Sequence, residues 1–252
     1  MRGLKDKVVI VTGGGSGIGR AVCQRFAEEG CRVAIFDINK AGADETVSLI
    51  GNGAKAYICD ISSHDAVEAA VVAAENDLGA IDILVNNAGW DEAKPFLATD
   101  TALWKKIIDI NLYGPLNLHH TVVSRMAERG HGKVVNVASD AGRVGSSGEA
   151  VYSACKGGII AFSKTLAREL ARKNIQINTV CPGPTDTALF ADFAGEGEQG
   201  QKLREGLARA IPMKRIGQPA DYPGIICFLA SSDADYITGQ TISVSGGLTM
   251  HG

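Results

Sequence analysis

The chain has 252 residues, of which 31 are glycine and 6% aromatic, and its formal net charge at pH 7 is -3. This length fits one large α/β domain, and abundant glycine suits the tight turns that join strands to helices. The small net charge and the lack of long like-charge runs argue against a nucleic-acid or anionic-membrane partner. No apolar stretch approaches the ~18 residues of a membrane span.

Six cysteines and five histidines are scattered along the sequence. No C-x-x-C pair exists, and no carboxylate or thiolate near His119 and His120 completes a metal site. We therefore expect small buried cysteines and no metal. Because the N-terminus also lacks a basic-then-apolar leader pattern, we expect a soluble protein of a reducing compartment, the cytoplasm.

Short β-branched runs alternate with helical patterns along the chain. The predicted strands cover 7–12, 32–37, a run ending at 60, 83–86, 133–138, 175–181 and 241–244. The predicted helices cover 17–29, a stretch after 39, 64–78, 101–129, 150–172 and 219–230. Continuous apolar strands such as VVIVT fit a sheet covered on both faces. The alternation predicts one domain over 1–252, an α/β Rossmann-type doubly wound parallel sheet of seven strands with helices on both faces.

The segment 182–211, rich in glycine, alanine and charge, interrupts this alternation. We expect an irregular lobe that covers a substrate site at about 184–212. The alternative is a surface excursion without a functional role.

A glycine-rich turn, TGGGSGIG, follows the first predicted strand and opens the first predicted helix. The strict G-x-G-x-x-G spacing is absent. Glycines in this place still let the backbone approach a pyrophosphate and direct helix N-terminal amides at it. The turn predicts a dinucleotide site, with a flexible loop as the alternative, built from Gly13, Ser16, Gly17, Ile18 and Gly19.

Asp37 ends the second strand, where a carboxylate accepts hydrogen bonds from the adenosine ribose. It repels a 2′-phosphate, and neither Ser16 nor Ile38 supplies a compensating positive charge, so the predicted cofactor is NAD. Asp60, with Ile61, is expected to contact the adenine. For both aspartates, the alternative is a role in capping the helix that follows.

Four polar residues predict hydride-transfer chemistry: Asn111, Ser139, Tyr152 and Lys156. On a helix, a spacing of four places Tyr152 and Lys156 on one face. A fixed cation beside a phenol is expected to lower the phenol pKa from about 10 toward neutrality, which makes tyrosine usable as an acid or base. No G-x-S-x-G elbow or P-loop lysine supports a hydrolase or phosphotransferase.

The glycine turn, the segment Asn86-Asn87-Ala88-Gly89, the four polar residues and Pro182-Gly183 followed by Thr187 resemble the short-chain dehydrogenase/reductase family. These motifs occur in register along essentially the whole chain. The resemblance implies that Tyr152 is the acid/base, Ser139 binds the substrate oxygen, Lys156 binds the nicotinamide ribose, and Asn111 holds a water. It also implies further cofactor contacts at Asn87, Ala88, Gly89, Pro182, Gly183, Thr185 and Thr187.

Four longer segments resemble family members that oxidise 2-hydroxycyclohexanecarboxyl-CoA: NNAGWD, residues 138–158, CPGPTDTAL and the C-terminal ITGQTISVSGGLTMHG. This implies a CoA thioester substrate and substrate contacts at Trp90, Ser139, Arg143, Val144, Gly183, Leu189 and Phe190. Phe193 and Met213 are further candidates for the apolar lining. The candidates to bind CoA phosphates are the basic residues Arg143, Lys94, Lys202, Arg204, Lys214 and Arg215. The alternative for each is a solvated side chain without a binding role.

Several alternatives remain open. The first is a 3-oxoacyl reductase or a linear 3-hydroxyacyl-CoA dehydrogenase, followed by a secondary-alcohol, polyol or steroid dehydrogenase. The second is a catalytically silent NAD-binding partner or sensor. The resemblance further implies a homotetramer or dimer, with the helix 150–172 and the C-terminal strand between subunits.

Overall fold

The computed structural model describes residues 1–51, 53–195 and 197–250. Its strands are β1 (Val8–Thr12), β2 (Arg32–Asp37), β3 (Ala54–Ile58), β4 (Ile83–Asn86), β5 (Gly132–Val137), β6 (Ile175–Pro182) and β7 (Thr241–Val244). They pair in parallel in the order β3-β2-β1-β4-β5-β6-β7. The predicted seven-stranded parallel sheet is thus confirmed.

Helices cover both faces of this sheet. They are α1 (Gly17–Glu28), α2 (Lys40–Ile50), α3 (His64–Leu78), α4 (Thr101–Ile108), α5 (Gly114–Leu118), α6 (Ser124–Arg129), α7 (Ala141–Val144), α8 (Ala150–Leu170), α9 (Ala188–Ala194), α10 (Gly197–Ala210) and α11 (Pro223–Ala230). Alternate β1 residues enter two cores, Val8 and Ile10 in one, Val9 and Val11 in the other. The first core contains α3, α5, α6 and α8, and the second contains α1, α2 and α11.

The predicted helix 101–129 contains two π-helical turns, Asp109–Tyr113 and His119–Val123. The first precedes Pro115, which has no N–H to donate to the carbonyl of Asn111, four residues earlier. Single π-turns inside α-helices are frequent at functional sites. The first turn carries Asn111 itself, which is fully buried.

The predicted irregular lobe at 184–212 is largely helical, which corrects the sequence-based expectation. Thr187 caps α9 by accepting a hydrogen bond from the Phe190 N–H at 3.2 Å. The guanidinium of Arg204, on α10, lies 4.9 Å from the Phe190 ring centroid and joins the two helices. Glu196, within this predicted lobe, and the final two residues of the predicted C-terminal segment lie outside the described residues.

The predicted helix 219–230 also differs at its start. A 3-10 turn, Pro219–Asp221, precedes α11, which begins at Pro223. The residue before a proline disfavours α-helical backbone, so the two pieces do not merge into one helix.

His119 lies buried beneath the sheet, where its ring contacts Asn86, Asn136 and the carbonyl of Pro115 at 3.3, 3.2 and 2.6 Å. Burial lowers its pKa to about 4. The ring is therefore part of a polar core network. Over the residues described, no group of three or more His, Cys, Asp or Glu side chains could hold a metal.

All six cysteines are free and buried, as expected for small core residues. In the part of the chain that the structure covers, none of the helices combines the length and the hydropathy required to cross a bilayer.

Candidate active site

A cavity of about 1240 Å³ opens at the carboxyl ends of the strands, where β1 has β2 on one side and β4 on the other. Such a reversal of strand order is where doubly wound sheets bind ligands. The cavity brings together most of the predicted site residues. Those on its wall are Gly13, Ser16, Gly17, Ile18, Asp37, Ile38, Asp60, Ile61, Asn87, Ala88, Gly89, Trp90, Ser139, Val144, Tyr152, Lys156, Pro182, Gly183, Thr185, Thr187, Leu189 and Phe190.

The glycine turn is held against the end of β4. The Asn87 amide donates to the Thr12 carbonyl at 3.0 Å, and the backbone N–H groups of Asn87 and Ala88 both donate to the Thr12 hydroxyl at 3.0 Å. A Cβ on Gly13 would lie 2.9 Å from the Ala88 Cα. Only glycine fits there without displacing the Ala88 backbone. The opposite side of the turn faces the cavity and stays open to a ligand.

Gly19, which the sequence predicts as a cofactor contact, does not line the cavity. A Cβ at Gly19 would lie 2.0 Å from the carbonyl oxygen of Gly13 and 2.6 Å from the Asn87 amide nitrogen. Its role is to let the first turn of α1 pack on the glycine turn. Gly19 is thus a packing residue of the glycine turn, and its direct contact with the cofactor stays a prediction.

Asp37 faces the cavity from the end of β2. One of its carboxylate oxygens accepts from the Gly15 N–H at 2.9 Å and the other from the Asn39 N–H at 2.8 Å. Asp60 accepts from the N–H and hydroxyl of Ser62 at 2.9 and 2.7 Å, so it holds the turn before α3 while also lining the cavity. An open glycine turn beside an oriented carboxylate fits the pyrophosphate and ribose of a dinucleotide.

Tyr152 and Ser139 meet on the cavity wall. Tyr152 lies in the first turn of α8, and Ser139 follows β5 with its hydroxyl accepting from the Ala141 N–H at 3.1 Å. Burial raises the pKa of Tyr152 well above its ordinary value, the charges of Glu149 and Asp91 raise it further, and hydrogen bonding to Ser139 opposes them. The expected lowering of the Tyr152 pKa by Lys156 is therefore wrong for this structure, since desolvation dominates.

Lys156 is buried one turn further along α8. Its ammonium donates to the Val137 carbonyl at 3.1 Å and lies 5.4 Å from the Tyr152 ring centroid. Burial lowers its pKa to about 8. The predicted placement of both side chains on one helix face is confirmed by this distance.

Asn111 supports the cavity wall from behind rather than lining it. Its amide donates to the carbonyls of Trp90 and Ile107 at 2.6 and 2.9 Å, and its oxygen accepts from the Trp90 N–H at 3.2 Å. The π-turn makes this possible by presenting Asn111 to the loop after β4. The water that the family resemblance assigns to Asn111 stays a prediction.

The substrate side of the cavity is mostly apolar. Trp90 lies under the Lys106 ammonium, 3.5 Å from the ring centroid, and the stacked rings of Phe190 and Phe193 are 6.0 Å apart. Trp90, Phe190 and Phe193 all contribute to the wall. Such a surface suits a hydrocarbon chain or ring.

Arg143 does not line the cavity, contrary to expectation. Its guanidinium donates to the Ser243 hydroxyl at 2.9 Å, and Ser243 donates to Asp140. This chain ties the turn that carries Ser139 to β7. Met213 and the other basic candidates also lie off the wall, and most of those basic side chains have carboxylate partners, namely Lys94 with Glu92, Lys202 with Glu198, Arg204 with Asp186 and Arg215 with Asp221.

Sequence reasoning missed two carboxylates next to Tyr152. Glu149 lines the cavity three residues before Tyr152, and Asp91 directly follows Trp90. The available signal was the spacing of Glu149 from Tyr152, one helical turn. Asp91 gave no local signal because it comes from a different loop.

Comparison with known proteins agrees with this geometry. A family model described as enoyl-(acyl carrier protein) reductase matches residues 13–249. Acetoacetyl-CoA reductase of Rhizobium meliloti is 38% identical over 96% of this chain and 98% of that protein. Galactitol 2-dehydrogenase of Agrobacterium fabrum is 37% identical over 98% and 99%.

A solved structure is also similar. The 3-ketoacyl-(acyl-carrier-protein) reductase of Brucella melitensis, complexed with NADH, superposes with a TM-score of 0.90 at 32% identity, covering 98% of this chain and all of that one. The matched span includes the glycine turn and the residues that meet Tyr152 at the cavity. The chain therefore belongs to the short-chain dehydrogenase/reductase family of oxidoreductases.

Proposed function

We propose that this oxidoreductase uses NAD(H) to interconvert 3-oxoacyl and 3-hydroxyacyl thioesters. The observation that carries the proposal is the meeting of Tyr152 and Ser139 on the wall of a cavity whose other side is apolar. A secondary alcohol oxygen seated between these two hydroxyls would have its carbon chain on the apolar wall. The similarity to acetoacetyl-CoA reductase and 3-ketoacyl-(acyl-carrier-protein) reductase supports the thioester class.

The preference for NAD over NADP rests on Asp37. Its carboxylate, fixed by two backbone N–H groups, would accept the ribose hydroxyls and repel a 2′-phosphate. When bound, the nicotinamide accepts or supplies the hydride. Lys156 would hold the adjoining ribose, and the 182–187 segment would lie over the nicotinamide end.

In this proposal, Tyr152 moves the proton and Ser139 orients the reacting oxygen. The raised pKa of Tyr152 keeps the phenol protonated at neutral pH. A protonated phenol is the form that donates to a ketone oxygen, so it is the form that reduction requires. In oxidation, the same residue would take the alcohol proton.

A cyclic substrate, 2-hydroxycyclohexanecarboxyl-CoA, is the second candidate. It carries the same β-hydroxy thioester, and the aromatic wall of Trp90, Phe190 and Phe193 supports a ring beside the reacting carbon.

We also propose that the enzyme acts as a cytoplasmic homotetramer. Free, buried thiols support a reducing compartment. The strand β7 ends the sheet with all four residues partly accessible, which supports a subunit contact there. Light scattering coupled to size exclusion tests this: about four times the 26.3 kDa chain mass is expected, and a monomer contradicts it.

The substrate class is tested by steady-state kinetics at 340 nm. Acetoacetyl-CoA, 2-oxocyclohexanecarboxyl-CoA, a hexose-derived ketose and cyclohexanone are compared as oxidants of NADH. We expect the better thioester to exceed the sugar and the plain ketone in kcat/KM by at least ~100-fold, about 2.7 kcal/mol. Equal use of all four substrates, or preference for the sugar, contradicts the thioester proposal.

A further inference from the structure

The residues that follow β7 form a C-terminal tail, residues 245–250, which folds back onto the cavity. The Leu248 N–H donates to the Ser245 carbonyl, and the Thr249 N–H donates to the Ser245 hydroxyl, both at 3.2 Å. Leu248 and Thr249 both line the cavity. Leu248 is 38% exposed in this position, so the tail offers apolar surface to a ligand.

The C-terminal tail is joined to the segment that carries Ser139. The N–H of Asp140, the residue after Ser139, donates to the Pro182 carbonyl at 3.0 Å. A Cβ on Gly183, the residue after Pro182, would lie 2.8 Å from the Ser245 Cβ. The tail therefore lies close to Ser139, at the substrate end of the cavity and away from the glycine turn.

The tail also packs on the end of the helical lobe. The Met213 N–H donates to the Gly246 carbonyl at 3.1 Å. A Cβ on Gly246 would lie 2.7 Å from the Ile211 Cγ2, and a Cβ on Gly247 would lie 3.2 Å from the Pro212 Cγ. Both glycines have positive φ angles, 62° and 87°, which other residues rarely adopt. These contacts hold the tail in a fixed position beside the lobe.

The wall that the lobe and the tail form together is uncharged. Every residue from 182 onward that lines the cavity lacks a charge, and the large apolar members include Phe190, Phe193, Leu207 and Leu248. A carrier such as CoA has phosphate groups, which cationic side chains bind. An uncharged wall suits hydrocarbon instead, so the acyl group of a thioester, rather than its carrier, fits beside the tail.

We propose that Leu248 determines the size of the acyl group that the enzyme accepts, because its side chain closes the acyl end of the cavity beside the rings of the lobe. The inference rests on the proposed thioester function. An acyl group too long for this wall would be held away from Ser139 and Tyr152. Leu248 is the residue that touches the substrate, and Gly246 and Gly247 position it.

The test compares two variants and a control with NADH as reductant. Leu248→Ala enlarges the acyl end of the cavity, and Leu248→Phe fills it. Leu203→Ala is the matched control, because Leu203 is also 38% exposed but lies on α10 off the cavity wall. The probes are two pairs of different size, acetoacetyl-CoA with 3-oxohexanoyl-CoA and cyclohexanone with 4-propylcyclohexanone. Thermal melting and NADH fluorescence check that each variant folds and binds the cofactor.

The measured quantity is the ratio of kcat/KM for 3-oxohexanoyl-CoA over acetoacetyl-CoA. We expect Leu248→Ala to raise this ratio about 10-fold, because the vacated space accepts the two additional methylene groups. Leu248→Phe should lower it about 10-fold, since the larger ring excludes them. Leu203→Ala should leave the ratio within about 2-fold of the wild type. NADH affinity should stay within about 3-fold in all variants, because the substitutions lie away from the glycine turn.

A ratio that Leu248→Ala leaves unchanged would overturn the inference, even if Leu248→Phe did not fold. The inference would also be wrong if Leu248→Ala changed only the preference between acetoacetyl-CoA and its N-acetylcysteamine analogue, because Leu248 would then contact the carrier.

The ring ketones separate this inference from the proposed function. If the wild type reduces the ring ketones but neither thioester, the thioester function fails. A ratio for the ring pair that rises in Leu248→Ala and falls in Leu248→Phe would then still support the limit on substrate size. Reduction of none of the four probes would contradict both proposals.

Discussion

The Gly15 N–H donates to the Asp37 carboxylate at 2.9 Å, which fixes the orientation of the acidic residue at the end of β2. The same contact makes the glycine turn and the carboxylate one unit. A Cβ on Gly15 would lie 2.8 Å from that carboxylate oxygen, so a larger residue would displace the charge. In the proposed function, this unit would combine a pyrophosphate cradle with a charge opposed to a 2′-phosphate.

Replacing Asp37 by asparagine should therefore reduce discrimination against NADP. We expect the ratio of kcat/KM for NADH over NADPH to fall by about 100-fold, or about 2.7 kcal/mol, because one charge repulsion is removed. Initial rates with both cofactors measure the ratio. Asp44→Asn, an exposed carboxylate on α2 paired with Lys40, is the control. An unchanged ratio in Asp37→Asn would contradict the assignment.

Gly19→Ala should disrupt the glycine turn, since the new methyl group would lie 2.0 Å from the Gly13 carbonyl oxygen. Overpacking against backbone is expected to cost about 3 kcal/mol and to weaken NADH binding. Gly206→Ala on α10 is the matched control, because nothing lies within 4 Å of its added Cβ. The control should gain about 0.5–1 kcal/mol of stability from helix propensity. Chemical denaturation compares them, and equal stabilities would refute the packing role.

Arg143→Ala should lower kcat without weakening the binding of the CoA part of a thioester substrate. The guanidinium donates to Ser243, which donates to Asp140 beside Ser139, so its loss loosens the turn that carries Ser139. We expect kcat to fall about 3- to 10-fold, with little change in the KM ratio between a CoA thioester and its N-acetylcysteamine analogue. A rise in that ratio at unchanged kcat would show that Arg143 binds CoA phosphate after all.

His119 should make the fold acid-sensitive. Its pKa is lowered from 6.5 to about 4 in the folded state, so the unfolded chain binds more protons between these values. The stabilisation is complete above pH 6.5 and is lost as pH falls toward 4, by up to about 3 kcal/mol. Urea denaturation at pH 7 and pH 4.5 measures the loss. His119→Gln removes the titration, and an identical pH dependence in this variant would contradict the role of His119.

Local patterns were sufficient to predict most of the sheet and the residues at the glycine-turn end of the cavity. The strand Ile83–Asn86 and the helix His64–Leu78 match their predicted bounds, because apolar periodicity and capping are local properties. Tyr152 and Lys156 share a helix, so their spacing alone placed them together. The glycine turn indicated a dinucleotide site because it lies between a strand and a helix.

The remaining features depend on contacts between distant segments. Arg143 lies close to Ser139 in sequence, but its direction is set by Ser243 on the last strand. The pKa of Tyr152 depends on burial and on Asp91, which belongs to another loop. The π-turn around Asn111 reflects a proline together with hydrogen bonds to the loop after β4. Periodicity in a single segment contains none of this information.

The central claim is that Tyr152 transfers the proton during NAD(H)-dependent interconversion of a 3-oxoacyl thioester. The most direct measurement is NADH oxidation by acetoacetyl-CoA at 340 nm in the wild type and in Tyr152→Phe, with NADH binding followed separately by fluorescence. We expect Tyr152→Phe to lose about 10²- to 10⁴-fold in kcat while binding NADH within about 3-fold of the wild type. A variant that keeps wild-type turnover would contradict the account.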